Sequence, residues 1–134
     1  MRDPWRLEVV ELSMQLTVLT YRATTRFPPA ERFGLIDQMR RASVSVGSCI
    51  AEGCGCGTDP GFRRYLQMGL SSLLELEYQA RLASRLGFGD PQAVEELAIT
   101  TDLLKRKLVS LKNAVDRRMR DRRRPESRAD GRQG

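Results

Sequence analysis

The sequence predicts an all-α fold, an antiparallel up-down-up-down four-helix bundle, and three observations carry that prediction. Apolar residues recur at three- and four-residue spacing along most of the chain, without the sustained two-residue alternation of strands. Pro28-Pro29, Asp59-Pro60 and Asp90-Pro91 divide the chain into four segments of helical length. The connections between them are short, which makes successive helices antiparallel neighbours around one core. A chain of 134 residues is the size of a single domain.

The first helix is predicted over 4–25, ending before Phe27-Pro28-Pro29 because a proline disfavours helix in the residue before it. It carries two apolar stripes: Leu7, Val10, Met14, Thr17 and Tyr21 on one, and Val9, Leu12, Leu16, Leu19 and Ala23 on another, roughly 200° away. One bundle core covers one stripe. The second stripe, with Val9, Leu12, Leu16 and Leu19, is therefore predicted to pack against another subunit, the alternative being a peripheral helix with exposed leucines.

The second helix is predicted over 29–53 with Pro29 in its first turn. Phe33, Ile36, Met39, Ser43, Val46 and Ile50 form its core side, and Ala42, Ser45, Ser48 and Cys49 form a small-residue side that a neighbouring backbone can approach. The third is predicted over 59–86, capped by Asp59 with Pro60 in the first turn and closed by Gly87. Phe62, Leu66, Gly69, Leu73, Leu76, Ala80 and Ala83 share one side, and Arg63, Arg64, Gln67, Ser71, Tyr78, Arg81 and Arg85 fall opposite. Asp90-Pro91 starts the fourth, over 90–119, where Val94, Leu97, Thr101, Leu104, Leu108, Leu111 and Val115 make one unbroken stripe. Arg40 and Glu77 sit at the margins of their core stripes and predict a partly buried ion pair. The rival is the local Glu77–Arg81 pair at i, i+4.

Of the net charge of +6, the stretch from 117 onward holds +5, eight arginines against three acids, and residues 1–116 are nearly neutral. Residues 120–134 read as a disordered basic tail, either a solubilising end or an attractor of RNA, DNA or acidic surfaces. No segment approaches the roughly 20 apolar residues of a membrane span, and the N-terminal stretch carries acids where a secretion signal has an apolar run. A cytoplasmic protein with no membrane partner is expected.

The sequence contains no histidine, which removes the commonest general base and the commonest transition-metal ligand. A di-iron carboxylate bundle needs Glu-x-x-His, the serines have no base, and Glu75 and Glu77 point to different sides of one helix. No catalytic activity and no cofactor are predicted. The stretch "AEGCGCGTDPGF", 51–62, places Cys54 and Cys56 around Gly55, with Cys49 upstream. A zinc site there lacks a second ligand pair and would need Glu52 or Asp59; a CxxC redox motif is absent; a phosphate loop fails because Pro60 stands where its third glycine belongs. The stretch reads mainly as a turn, with a thiol-dependent metal or redox sensor as a remote alternative.

At "QMRRASVSVGSCIAEG", 38–53, the chain resembles the bacterial four-helix-bundle family first recognised in proteins encoded within intervening sequences of 23S ribosomal RNA genes. The family pattern L-R-R-A-A-x-S-I-P-x-N-I-A-E-G is kept at Arg40, Arg41, Ala42, Ser45, Ile50, Ala51, Glu52 and Gly53. "FPPAERFGL" upstream, "FRRYLQMGLSSLLELEYQ" downstream and the closing "LGF" are also similar. Gly47 stands where the family usually has proline, Cys49 where it has asparagine, and Ser71 replaces a typical glycine. The resemblance implies a homopentamer with a nucleic-acid role and no catalysis. Accessory proteins of diversity-generating retroelements are similar in fold, and there the implied work is binding template RNA and a reverse transcriptase.

The expected function is thus non-enzymatic, homo-oligomeric RNA binding. Its candidate contacts are Arg63, Arg64, Arg81 and Arg85 on the third helix, Arg106, Arg117 and Arg120 on the fourth, and Arg122, Arg123 and Arg124 leading into the tail. For each, the alternative is a solvated helix face. The alternative for the whole is a scaffold subunit that binds a reverse transcriptase together with its template RNA.

Overall fold

The computed structural model describes residues 2–124; most of the basic tail, 125–134, lies outside them. Among the described residues the fold is all-α, with helices α1 (Glu8–Thr24), α2 (Leu35–Cys54), α3 (Asp59–Leu86) and α4 (Pro91–Arg122), 3-10 turns at Pro4–Arg6 and Pro29–Glu31, and no strand. None of these helices is long and apolar enough to cross a membrane.

The helix ends follow local chemistry. The Asp3 carboxylate accepts the Trp5 N–H at 3.0 Å, so residues 4–6 form a separate 3-10 turn, and extended Leu7 delays α1 to Glu8. Pro29 likewise starts only a 3-10 turn, and α2 begins after Gly34. Phe33 is left outside the helix and 88% exposed, so the expectation that it joins the core fails. α3 spans the expected residues, but its cap is Thr58, whose Oγ1 accepts the Gly61 N–H at 3.2 Å. Asp59 occupies the first helical position and is buried. Gly87 closes α3 at φ 71°, and the N–H groups of Gly87 and Phe88 reach back to the carbonyls of Ser84 and Ala83 at 3.1 and 3.0 Å. Glycine adopts this left-handed closure without the Cβ penalty. Asp90 caps α4 through the Gln92 N–H.

Each helix packs against two others: α1 and α3 both touch α2 and α4. Leu16, Met39, Val46, Ile50, Phe62, Leu66, Leu73, Leu76, Leu97, Leu104, Leu108 and Val115 fill the centre, and full burial of each large side chain is worth about 1.5–3 kcal/mol. At the α2–α3 seam a Cβ on Gly53 would lie 2.9 Å from the Tyr65 Cβ and 3.1 Å from the Phe62 ring, so the backbones meet there only because residue 53 has no side chain. Ser45 and Ser72 hydrogen-bond across the same seam at 2.9 Å.

Two expectations are corrected by this packing. Val9 and Leu16 are buried, and Leu12 and Leu19 pack half-buried against the same core, so the stripe assigned to a subunit interface is the bundle-facing stripe of α1. The other stripe is divided by α2: Val10 is buried and Thr17 donates to the Ser43 carbonyl at 3.0 Å, while Met14 and Tyr21, with neighbouring Val18, remain 43–49% exposed. Two apolar stripes look alike in sequence, and the position of the neighbouring helices decides between them.

The Arg40–Glu77 pair does not form. Arg40 lies on the margin of α2 that faces α1, donating to Thr24 Oγ1 at 3.0 Å and to the Tyr21 carbonyl at 3.4 Å, with its guanidinium 4.6 Å from the Tyr21 ring centroid. Glu77 lies on the margin of α3 that faces α4, where it accepts from Lys105 at 3.0 Å and from Arg81 at 3.3 Å. Each residue is marginal to the core, but on opposite sides of the molecule. The local Glu77–Arg81 pair is present.

Candidate nucleic-acid interface

The ten candidate arginines divide by what they already hold. Arg63 donates to Asp116 at 2.6 Å and fastens α3 to α4. Arg81 and Arg106 form exposed intrahelical pairs with Glu77 and Asp102 at 3.3 and 2.7 Å, and such pairs contribute only about 0.3–0.5 kcal/mol. Arg64 is exposed, with its guanidinium 5.3 Å from the Tyr65 ring centroid. Arg85, Arg117, Arg120, Arg123 and Arg124 are exposed, with no ion-pair partner found among the described residues. Arg117 shares a shallow outward face of α4 with Lys105, Arg106, Val109, Ser110 and Asn113. The face on α3 is less purely charged than its sequence suggests, because Leu74, Tyr78, Leu82 and Leu86 are exposed on the same helix.

Arg122 belongs to a cluster that sequence reasoning missed. Asp59, its side chain 5% exposed, is met by Arg2 at 2.9 Å, by Arg118 at 3.1 Å and by Arg122 at 3.1 Å. Arg2 also lies 4.1 Å above the ring centroid of buried Phe62. The hydrogen bonds from Arg118 and Arg2 hold the Asp59 carboxyl below its ordinary range, outweighing the opposing effect of burial. At Glu77 burial pushes the other way most strongly, yet the hydrogen bonds from Lys105 and Arg81 leave it lowered as well. Arg118 and Arg122 are spaced i, i+4 and share one side of α4, which is legible in sequence. The convergence of Arg2 and Asp59, 57 residues apart, is not.

The cysteine turn offers no comparable constellation. Cys49 and Cys54 are buried, Cys56 is half-buried, and all three are free thiols. Burial pushes the Cys54 thiol up, and the protonated form is a poor nucleophile and ligand. Among the described residues no group of three or more His, Cys, Asp or Glu is placed to hold a metal ion.

The fold and surface define a class: a four-helix, all-α protein whose surplus positive charge lies at the end of its last helix. Within that class, the chain belongs to the 23S rRNA-intervening sequence protein family, whose model matches residues 6–110. Among solved structures it is similar to a protein of unknown function from the S23 ribosomal protein family of Bacteroides thetaiotaomicron VPI-5482. The two share 20% identity and superpose with a TM-score of 0.69, over 78% of this chain and 97% of the other. At that identity the likeness establishes the fold. No curated protein matches the chain.

Proposed function

We propose that the chain is a non-enzymatic, homo-oligomeric RNA-binding protein of the cytoplasm, built on an antiparallel bundle that assembles as a homopentamer. The order of interhelix contacts supports the up-down arrangement: as α3 advances through Arg63, Gln67 and Glu77, its partners in α4 recede through Asp116, Lys112 and Lys105. The family resemblance implies the pentamer. The α1–α2 face gives it a surface, a groove of about 460 Å³ lined by Trp5, Met14, Val18, Val44, Ser48 and Ala51, among others.

The observation that carries the RNA reading is the run of exposed arginines at the end of α4, Arg117 and Arg120, continuing into Arg123 and Arg124, with Arg106 upstream held only in an exposed pair with Asp102. Guanidinium groups that hold no structural partner remain available to phosphates, and repetition around an oligomer multiplies weak contacts into avidity. Few aromatic side chains accompany them, so base-specific readout is not expected. The purified protein is expected to bind short single-stranded RNA at 50 mM salt and to lose about twentyfold in affinity by 200 mM, the slope of about three neutralised phosphates. Removal of residues 120–134 abolishes binding on this reading, and binding insensitive to both changes overturns it.

A second reading is a scaffold subunit for a reverse transcriptase of the diversity-generating-retroelement type. It is favoured by the exposed Leu74, Tyr78, Leu82 and Leu86 beside Arg81 and Arg85, a mixed surface suited to a protein and a nucleic acid together. RNA binding that requires added polymerase supports it over the first reading.

A further inference from the structure

Around Asp59 three guanidinium groups converge on one carboxylate, leaving two positive charges unmatched within the cluster. The carboxylate lies beneath them: its side chain is 5% exposed, against 29%, 46% and 70% for Arg2, Arg118 and Arg122. An anion arriving from solvent therefore meets guanidinium groups first. Each guanidinium has five N–H donors; Arg2 spends one on Asp59 and Arg118 two, and Arg122 meets it as an ion pair at 3.1 Å, so most donors are left over. Two of them are fixed in advance, Arg2 by the Phe62 ring and Arg118 by two hydrogen bonds to Asp59, and the more exposed Arg122 is drawn to the same carboxylate. Arg123 follows directly on the same chain end. All three cluster arginines lie outside residues 6–110 matched by the family model, and Asp59 lies within them.

We propose that Arg2, Arg118 and Arg122, held in register by Asp59, form a binding site for a phosphate monoester, which an RNA strand presents at a phosphorylated 5′ end. The charge argument selects the monoester: it carries about −1.5 to −2 at neutral pH and matches the unpaired charge of the cluster, whereas an internal phosphodiester carries one negative charge. Forked N–H donors also suit the several oxygens of a terminal phosphate. The inference rests on the RNA reading for the source of the phosphate and stands without it for the site itself.

The test uses the full chain and two ten-nucleotide RNAs of one sequence, with 5′-phosphate or 5′-hydroxyl ends, and inorganic phosphate alone. The phosphorylated strand is expected to bind at least tenfold tighter, and Arg122→Ala, at an exposed position that leaves the core intact, to erase the difference. Arg118→Lys, which keeps the charge and loses the fork, should erase most of it, while Arg41→Ala, on the exposed side of α2 and paired only with Asp37, leaves it unchanged. Equal binding of the two strands, or a difference that persists in Arg122→Ala and Arg118→Lys, overturns the proposal. If neither RNA binds but inorganic phosphate binds the parent protein and not Arg122→Ala, the site stands and the RNA reading falls.

Discussion

Arg40 shows how a single side chain can be read correctly for importance and wrongly for partner. Its position at the edge of the core predicted a structural contact, and the contact it makes is with the end of α1, where a cation meets the negative pole of the helix. Arg40→Ala is expected to cost about 1–2 kcal/mol in urea unfolding, from lost charge-assisted hydrogen bonds. Because Arg40 and Glu77 hold different partners, the effects of Arg40→Ala and Glu77→Gln should add within about 0.5 kcal/mol. A larger coupling energy would restore the pair that the structure separates.

Two carboxyls, Asp59 and Glu77, are placed to make the stability fall in acid. Asp59 and Glu77 are both lowered by their cationic partners, from ordinary values of 3.8 and 4.5. A group with a lowered folded-state value stabilises the fold fully above its unfolded value and loses that contribution as pH falls through the folded one. The urea midpoint should therefore decline from about pH 5 downward, and decline less steeply in Asp59→Asn and Glu77→Gln. Parallel curves for parent and variants would remove these two groups as the cause. At the α2–α3 seam Gly53→Val is expected to lower stability by about 2–3 kcal/mol through overpacking against Tyr65 and Phe62, read as a lower urea midpoint.

At the scale of elements, α3 was the most legible, because Asp59-Pro60 and Gly87 bracket a long periodic segment with strong local signals. The starts of α1 and α2 were the least legible: both begin after a proline-led 3-10 turn, and proline in a first turn suits either kind of helix. Of the α4 stripe, Val94, Leu97, Thr101, Leu104, Leu108 and Val115 are buried as predicted, and Leu111 packs half-buried against the core. Leu104→Ala, at a fully buried position, is expected to cost about 2–5 kcal/mol and to lower the thermal midpoint, whereas Arg120→Ala should leave it within about 0.5 kcal/mol.

For the whole molecule, apolar area left outward is the feature that asks for assembly. Met14, Val18 and Val44 are 46–49% exposed around the α1–α2 groove, beside Trp5. If copies of the chain meet there, Val18→Glu should shift sedimentation from an oligomer to a monomer without loss of helicity, since burying an unpaired charge is costly only in the assembly. A parent protein that sediments as a monomer at micromolar concentration removes the pentamer instead.

Periodicity and capping are local properties, so the helices, the breaks at Asp59-Pro60 and Asp90-Pro91, the buried face of α4 and the family pattern on α2 and α3 were legible from the sequence alone. Which stripe of α1 faces the core, which partner each marginal charge takes, and that Arg2, Arg118 and Arg122 meet on Asp59 became visible in three dimensions. Those outcomes depend on the rotation of each helix relative to its neighbours, and that rotation is fixed by the joint packing of all four helices, which no single segment encodes.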